Sequence, residues 1–77
     1  MTVEELKNLR KKTGECWLDV IDHRHLLREN LAKIGKHSPF AATLRAMISD
    51  QDVLLDSYSL RIEECRIEIR RMEDAQP

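Results

Sequence analysis

The sequence contains few of the residues that build loops, disulfide-linked scaffolds or aromatic cores. Its 77 residues include two glycines, two prolines, two cysteines and three aromatic side chains. A small scaffold held together by disulfides needs more cysteines than this. Hydrophobic residues make up 42% of the chain, a share that is ordinary for a folded protein and high for a disordered tail. These proportions favour a small helical protein with a core rich in leucine and isoleucine.

The sequence also lacks an excess of charge of either sign and any long apolar run. Thirteen basic and fourteen acidic residues leave a net charge of −1, so no overall field attracts nucleic acid or an anionic membrane. No stretch approaches the roughly 18 apolar residues of a membrane span, and residues 1–12 lack the apolar core of a signal peptide. We therefore expect a cytoplasmic protein without membrane association, in which the cysteines are reduced.

Capping signals divide the chain into two long helices. Thr2 followed by Glu5 is a capping box, and Gly35 is a favoured helix stop. Ser38 and Pro39 suit the N-cap and first turn of a second helix. The predicted fold is a single domain over residues 1–77, with helix 1 at about 3–34, a turn at 35–38 and helix 2 at about 39–74.

Gly14 is the one weak point in helix 1, because a glycine inside a helix costs about 1 kcal/mol relative to alanine. The three- and four-residue spacing of apolar side chains continues across it. We therefore expect a continuous helix.

A short turn between two long helices produces an antiparallel hairpin. If Ile34 faces Phe40 across the turn, the numbers of facing residues sum to about 74–75. Arg24 then faces Gln51, and such a polar layer in an apolar seam tends to fix the register. The predicted hairpin core consists of Leu9, Trp17, Val20, Leu27, Leu31, Leu44, Leu55, Tyr58, Ile62 and Ile69.

Helix 2 carries a second line of apolar residues outside this seam. Ala46, Val53, Leu60 and Ile67 recur every seven residues and lie near the opposite side of the helix. A helix that is apolar on two faces is normally buried on both, and helix 1 covers only one. We expect a second copy to cover the other, so that the all-α hairpin dimerises into a four-helix bundle with helix 2 at the interface. The partner could equally be a different protein.

The segment Cys16–His25, with the sequence CWLDVIDHRH, concentrates a thiol, carboxylates and imidazoles. On a helix, His23 and His25 lie about 200° apart and cannot share a metal. Asp19 can meet His23, and Asp22 can meet His25, but a zinc site needs three or four ligands. We therefore predict no metal, no cofactor and a solvated helix face with ion pairs.

Both cysteines fall on the seam, which predicts buried and unreactive thiols. In the predicted register Cys65 faces Leu9, and Cys16 lies about 10 Å further along helix 1, too far for a disulfide. No histidine faces either thiol, so the sequence does not support a cysteine–histidine nucleophile.

The charged segment at 61–71 is spaced to neutralise itself. Glu63 and Arg66, and likewise Glu68 and Arg71, lie three residues apart and can form ion pairs along one helix. This spacing favours a solvated coiled-coil flank over a nucleic-acid contact.

These features predict a non-enzymatic protein-interaction module: a regulator, adaptor or inhibitor of a partner protein, acting as a helical-hairpin homodimer. The alternative is an RNA-binding hairpin, because the predicted architecture is similar to that of the plasmid copy-number regulator Rop, a hairpin that dimerises and binds RNA loops. This resemblance is one of shape, and fold does not imply function. Its contact residues would be Lys7, Arg10, Lys11 and Arg28. A metal- or thiol-dependent enzyme is the third hypothesis.

Overall fold

The computed structural model describes residues 1–75, which form two antiparallel α-helices joined by a short turn. Helix α1 spans Val3–Ile34 and helix α2 spans Pro39–Asp74. The hairpin is a rod with principal extents of 63 × 14 × 14 Å. The all-α helical hairpin predicted from the sequence is confirmed.

The helix ends are formed by the capping residues. Glu5 N donates to Thr2 Oγ1 at 3.1 Å, and Thr2 N donates to Glu5 Oε1 at 3.3 Å, which completes the capping box. At the start of α2, Phe40 N donates to Ser38 Oγ at 3.2 Å. Gly35, with φ 79° and ψ 159°, takes a backbone conformation that only glycine adopts easily, and it ends α1. Each cap satisfies backbone groups that the helix itself cannot.

Helix α1 continues through Gly14 without a break, as the apolar spacing predicts. A Cβ atom built at this position would have no neighbour within 4 Å, so the glycine is not required by close packing. At the residue before it, Thr13 Oγ1 donates to Leu9 O at 2.7 Å. That bond satisfies a hydroxyl group that is buried in the seam.

Helix α2 faces α1 along a repeat that alternates steps of three and four residues. All ten positions of this repeat are buried or half-buried, the pattern of a coiled-coil seam. They are Ala41, Leu44, Ile48, Gln51, Leu55, Tyr58, Ile62, Cys65, Ile69 and Met72. On α1 the corresponding buried or half-buried residues are Val3, Leu6, Leu9, Thr13, Trp17, Val20, Arg24, Leu27 and Leu31.

The best-packed cluster lies at the end of the hairpin remote from the turn. Leu6, Cys65 and Ile69 are buried there. Val3, Leu9 and Met72 pack against them. These contacts are those of the predicted register, in which facing residue numbers sum to about 74–75.

Near the turn, the predicted seam is wrong by one residue. Phe40 is 69% exposed and Ala41 is 1% exposed, because the three-four repeat of α2 points Ala41, and not its larger neighbour, at α1. Ile34 is 36% exposed as well, so neither residue of the predicted Ile34–Phe40 pair is buried. Met47, which the predicted register places opposite Leu27, is 38% exposed for the same reason. The adjacent residue, Ile48, lies in the seam.

Candidate protein-interaction surface

The apolar stripe predicted on α2, defined here as Ala46, Val53, Leu60 and Ile67, is exposed along its whole length. Val53 is 67% exposed, Leu60 61% and Ile67 53%. Successive stripe residues are about 10 Å apart, because seven residues rise 1.5 Å each. The stripe therefore runs for about 30 Å along the rod.

The stripe lies on the side of α2 that faces away from α1. Each of its residues is two positions from a seam residue on either side: Val53, for example, lies between Gln51 and Leu55. Two residues correspond to about 200° around a helix. Helix α1 therefore cannot cover the stripe without leaving the seam.

Acidic residues flank the central part of the stripe. The neighbours of Val53 and Leu60 on the helix surface lie three or four positions away. They are Ser49, Asp50, Asp56, Ser57, Glu63 and Glu64, and all are exposed. The flanks of these two apolar residues thus contain four carboxylates and no basic side chain. We call the four carboxylates the acidic flanks.

One of these carboxylates is already neutralised within the chain. Arg66 Nε and Nη2 donate to the two carboxylate oxygens of Glu63 at 3.0 and 2.5 Å. That hydrogen bonding, together with the arginine charge, holds the pKa of Glu63 below its ordinary value. One turn further along, Arg71 donates in the same way to Glu68 and lowers its pKa. Both ion pairs predicted from the sequence are confirmed.

A second line of exposed apolar residues borders the seam from the turn to the middle of α2. Phe40, Met47 and Leu54 are also seven residues apart, and Leu54 is 41% exposed. On α1, Leu18 and Leu26 are exposed as well, but eight residues separate them and they do not form a stripe along one face. The sequence does contain a signal that places Ala41 rather than Phe40 in the seam: counting back from Leu44 in the alternating steps of three and four residues reaches position 41.

The predicted core residues line the seam. Leu27 and Ile69 are buried, and the other eight are half-buried. Midway along the seam Arg24 Nε lies 2.6 Å from Asp52 Oδ1, whereas the sequence predicts a layer with Gln51. The Nε–H is buried and is not directed at the oxygen, so the contact is an ion pair rather than an aligned hydrogen bond.

The thiol, carboxylates and imidazoles of Cys16–His25 do not converge. Within residues 1–75, no three or more histidine, cysteine, aspartate or glutamate side chains lie close enough to hold a metal ion. His25 Nε2 lies 3.3 Å from Glu29 Oε1; neither predicted pair, Asp19–His23 or Asp22–His25, forms among the described residues.

The prediction of two buried thiols is wrong for Cys16, which is exposed, while Cys65 is buried. Trp17 occupies the seam position, and the adjacent residue is rotated by about 100° towards solvent.

The basic residues of the nucleic-acid hypothesis, Lys7, Arg10, Lys11 and Arg28, are all exposed. An open groove of about 270 Å³ lies beside Arg10 at the end remote from the turn. It is lined by Arg10, Arg66, Ile69, Arg70, Glu73 and Asp74. Its three arginines are balanced by the two carboxylates of the lining and by Glu63, which pairs with Arg66, so the groove does not concentrate positive charge.

Comparison of the chain with protein-family models, curated proteins and solved structures finds no match. Neither helix of residues 1–75 is apolar over a length sufficient to cross a membrane.

Proposed function

We propose that this protein is a non-enzymatic protein-interaction module, a regulator, adaptor or inhibitor that acts by binding another helix along the apolar stripe of α2. The observation that carries the proposal is the exposure of Val53, Leu60 and Ile67 on one line opposite the seam. Burying side chains of this type stabilises a complex by about 1.5–3 kcal/mol each. Four apolar side chains aligned at seven-residue intervals differ from the single exposed residues that are normal on a surface.

In the absence of another partner, a second copy of the chain covers the stripe. The hairpin exposes 5969 Å², whereas a compact monomer of 9.0 kDa exposes about 4,900 Å². The difference of about 1,100 Å² is similar to the roughly 800 Å² that each partner buries in a stable interface. A homodimer therefore accounts for surface that the rod leaves unburied.

The position of the stripe sets the arrangement of the four helices in this dimer. In a square four-helix bundle each helix contacts two neighbours, and the two contact faces lie about 90° apart around its axis. On α2 the seam and the stripe are about 200° apart. The dimer is therefore a row in which the two copies of α2 pack together and the two copies of α1 lie outside.

Light scattering on the purified protein tests this proposal. We expect twice the chain mass at micromolar concentration and a melting temperature that rises with protein concentration. Leu60→Glu places a charge in the interface and should yield monomer. Arg45→Glu changes an exposed residue outside the stripe and should leave the dimer intact. A wild-type monomer whose melting temperature is independent of concentration would exclude the homodimer.

A further inference from the structure

The charge around the stripe identifies the kind of helix that it selects. Three or four positions from Val53 and Leu60, every charged residue is acidic: Asp50, Asp56, Glu63 and Glu64. Glu63 has an arginine partner; among the described residues, the other three carboxylates have no basic side chain within ion-pairing distance. A helix bound on the stripe must bring its own flanking residues close to these three.

We propose that the functional partner of the stripe is an amphipathic helix whose apolar line is flanked by lysine or arginine, and that this helix replaces the second copy. The inference rests on the proposed function and adds the chemistry of the partner. Complementary charges at the margin of an interface determine which partner binds and how fast, and like charges there exclude wrong partners.

A second copy of the chain is electrostatically a poor match for the same surface. In a two-fold dimer the stripe of one copy packs against the same stripe of the other copy. If the antiparallel pair is centred between Val53 and Leu60, Asp56 lies near its own symmetry mate. The acidic flanks of the two copies then repel each other, which weakens the dimer and lets a basic helix compete with it. Salt should therefore strengthen the homodimer and weaken the complex with the basic helix.

The complementarity is limited to the middle of the stripe. Beyond Ile67 the flanking residues are Arg70 and Arg71, and Arg71 is paired with Glu68. The basic residues of the partner are therefore needed opposite Val53 and Leu60, over about two heptads, and are not needed opposite the end of α2.

The test compares two designed helical peptides of about four heptads with identical apolar residues, one with lysine and one with glutamate on its flanks. Affinity is measured by fluorescence anisotropy at about 50 mM and about 500 mM salt. We expect the lysine-flanked peptide to bind about tenfold or more tightly at low salt, and the difference to shrink at high salt. Equal affinity, tighter binding of the glutamate-flanked peptide, or no binding of either would overturn the inference.

Two variants with the same change in net charge locate the effect. Asp56→Lys with Glu64→Lys should reverse the preference between the peptides. Asp19→Lys with Asp22→Lys, on exposed positions of α1, should leave it unchanged. If both variants reverse the preference, overall charge is responsible and the inference fails. Circular dichroism verifies that each variant is helical, and the peptide comparison on the wild-type chain is decisive should a variant not fold.

The mass of the complex separates this inference from the proposed homodimer. We expect one chain and one lysine-flanked peptide by light scattering, since the peptide takes the place of the second copy. A complex of two chains with bound peptide would overturn the replacement. A wild-type monomer that still prefers the lysine-flanked peptide would remove the homodimer and keep the charge selection. A dimer that binds neither peptide would keep the homodimer and remove the charge selection.

Discussion

Arg24 on α1 forms an ion pair with Asp52 on α2, and the two side chains join the helices midway along a seam that is otherwise mainly apolar. Nε and Oδ1 are 2.6 Å apart. The arginine side chain is 23% exposed and the aspartate side chain 50%, so solvent screens the pair and reduces its contribution to stability. Its more definite effect is on register, because sliding one helix past the other would separate the two groups.

Replacing Arg24 with leucine should therefore increase the free energy of unfolding, by about 1 kcal/mol, because a half-buried ion pair gives way to an apolar contact. Asp52→Asn should decrease it by about 0.5–1 kcal/mol, since it leaves the buried Nε without its counter-charge. Urea unfolding at fixed protein concentration measures both changes. Asp22→Asn, at an exposed position of α1 outside the seam, is the control and should have little effect. A less stable Arg24→Leu protein would show that the pair contributes more than the apolar contact.

The comparison of sequence and structure shows which features local patterns determine. The capping residues act on backbone groups next to them in the sequence, so the capped helix ends could be predicted. These residues are Thr2, Glu5, Gly35, Ser38 and Pro39. The stripe could be predicted because Val53 and its equivalents follow from helix periodicity alone.

The seam near the turn could not be predicted from side-chain size. Phe40 is the larger residue, but the repeat along all of α2 determines which of two neighbours faces α1, and it selects Ala41. The partner of Arg24 was missed for another reason: a long side chain reaches past the facing residue, Gln51, to the next one. Val53, Leu60 and Ile67 are exposed in the single chain, so the periodicity that predicts the stripe does not identify what binds to it.

The two glycines should respond to alanine with opposite signs. Gly14 lies within α1 and its missing Cβ would meet no atom within 4 Å, so Gly14→Ala should stabilise the protein by about 1 kcal/mol through helix propensity. Gly35 also has open space around it, but its φ of 79° strains any side-chain-bearing residue, so Gly35→Ala should cost about 1–2 kcal/mol. Thermal and urea unfolding give both values. Equal changes in the free energy of unfolding for the two variants would mean that backbone conformation does not determine how each glycine responds to alanine.

Acidification should destabilise the hairpin through its paired glutamates. Hydrogen bonds from Arg66 and Arg71 hold the pKa values of Glu63 and Glu68 below normal; those from Thr2, chiefly its backbone amide, do the same for Glu5. A carboxyl group with a lower pKa in the folded state contributes stability above its unfolded pKa of about 4.3. That contribution is lost as the pH falls through the folded pKa.

The corresponding experiment is urea unfolding between about pH 6 and pH 3. Glu63→Gln with Glu68→Gln should flatten the loss of stability below about pH 5, because these two groups no longer titrate. Glu15→Gln removes an exposed carboxyl group of α1 that accepts no hydrogen bond from an arginine within residues 1–75, and it should keep the steeper loss. A double variant with an unchanged pH profile would show that the two ion pairs do not contribute.

The two thiols should differ in reactivity because only one of them is covered. Cys16 is exposed, whereas Cys65 is buried against Leu6 and Ile69. An aromatic disulfide reagent should therefore modify about one thiol per native chain, and the second only after denaturant is added. Cys16→Ser should abolish the native reaction, and Cys65→Ser should leave it. Two fast thiols in the wild-type protein would mean that the cluster at the end of the hairpin opens readily.

The hairpin should tolerate a change at Phe40 and resist one at Ala41. Ala41 is 1% exposed, and α1 packs against it next to the turn. A leucine there adds side-chain volume that the seam can accept only if the helices separate, so Ala41→Leu should cost about 1–3 kcal/mol. Phe40 is 69% exposed and contributes little to the core. Phe40→Ser should therefore change the free energy of unfolding by less than about 0.5 kcal/mol. Urea unfolding of the two variants at one protein concentration compares them directly. If Phe40→Ser were the more damaging change, Phe40 would pack in the seam as its size suggests, and the three-four repeat of α2 would not extend to its first turn.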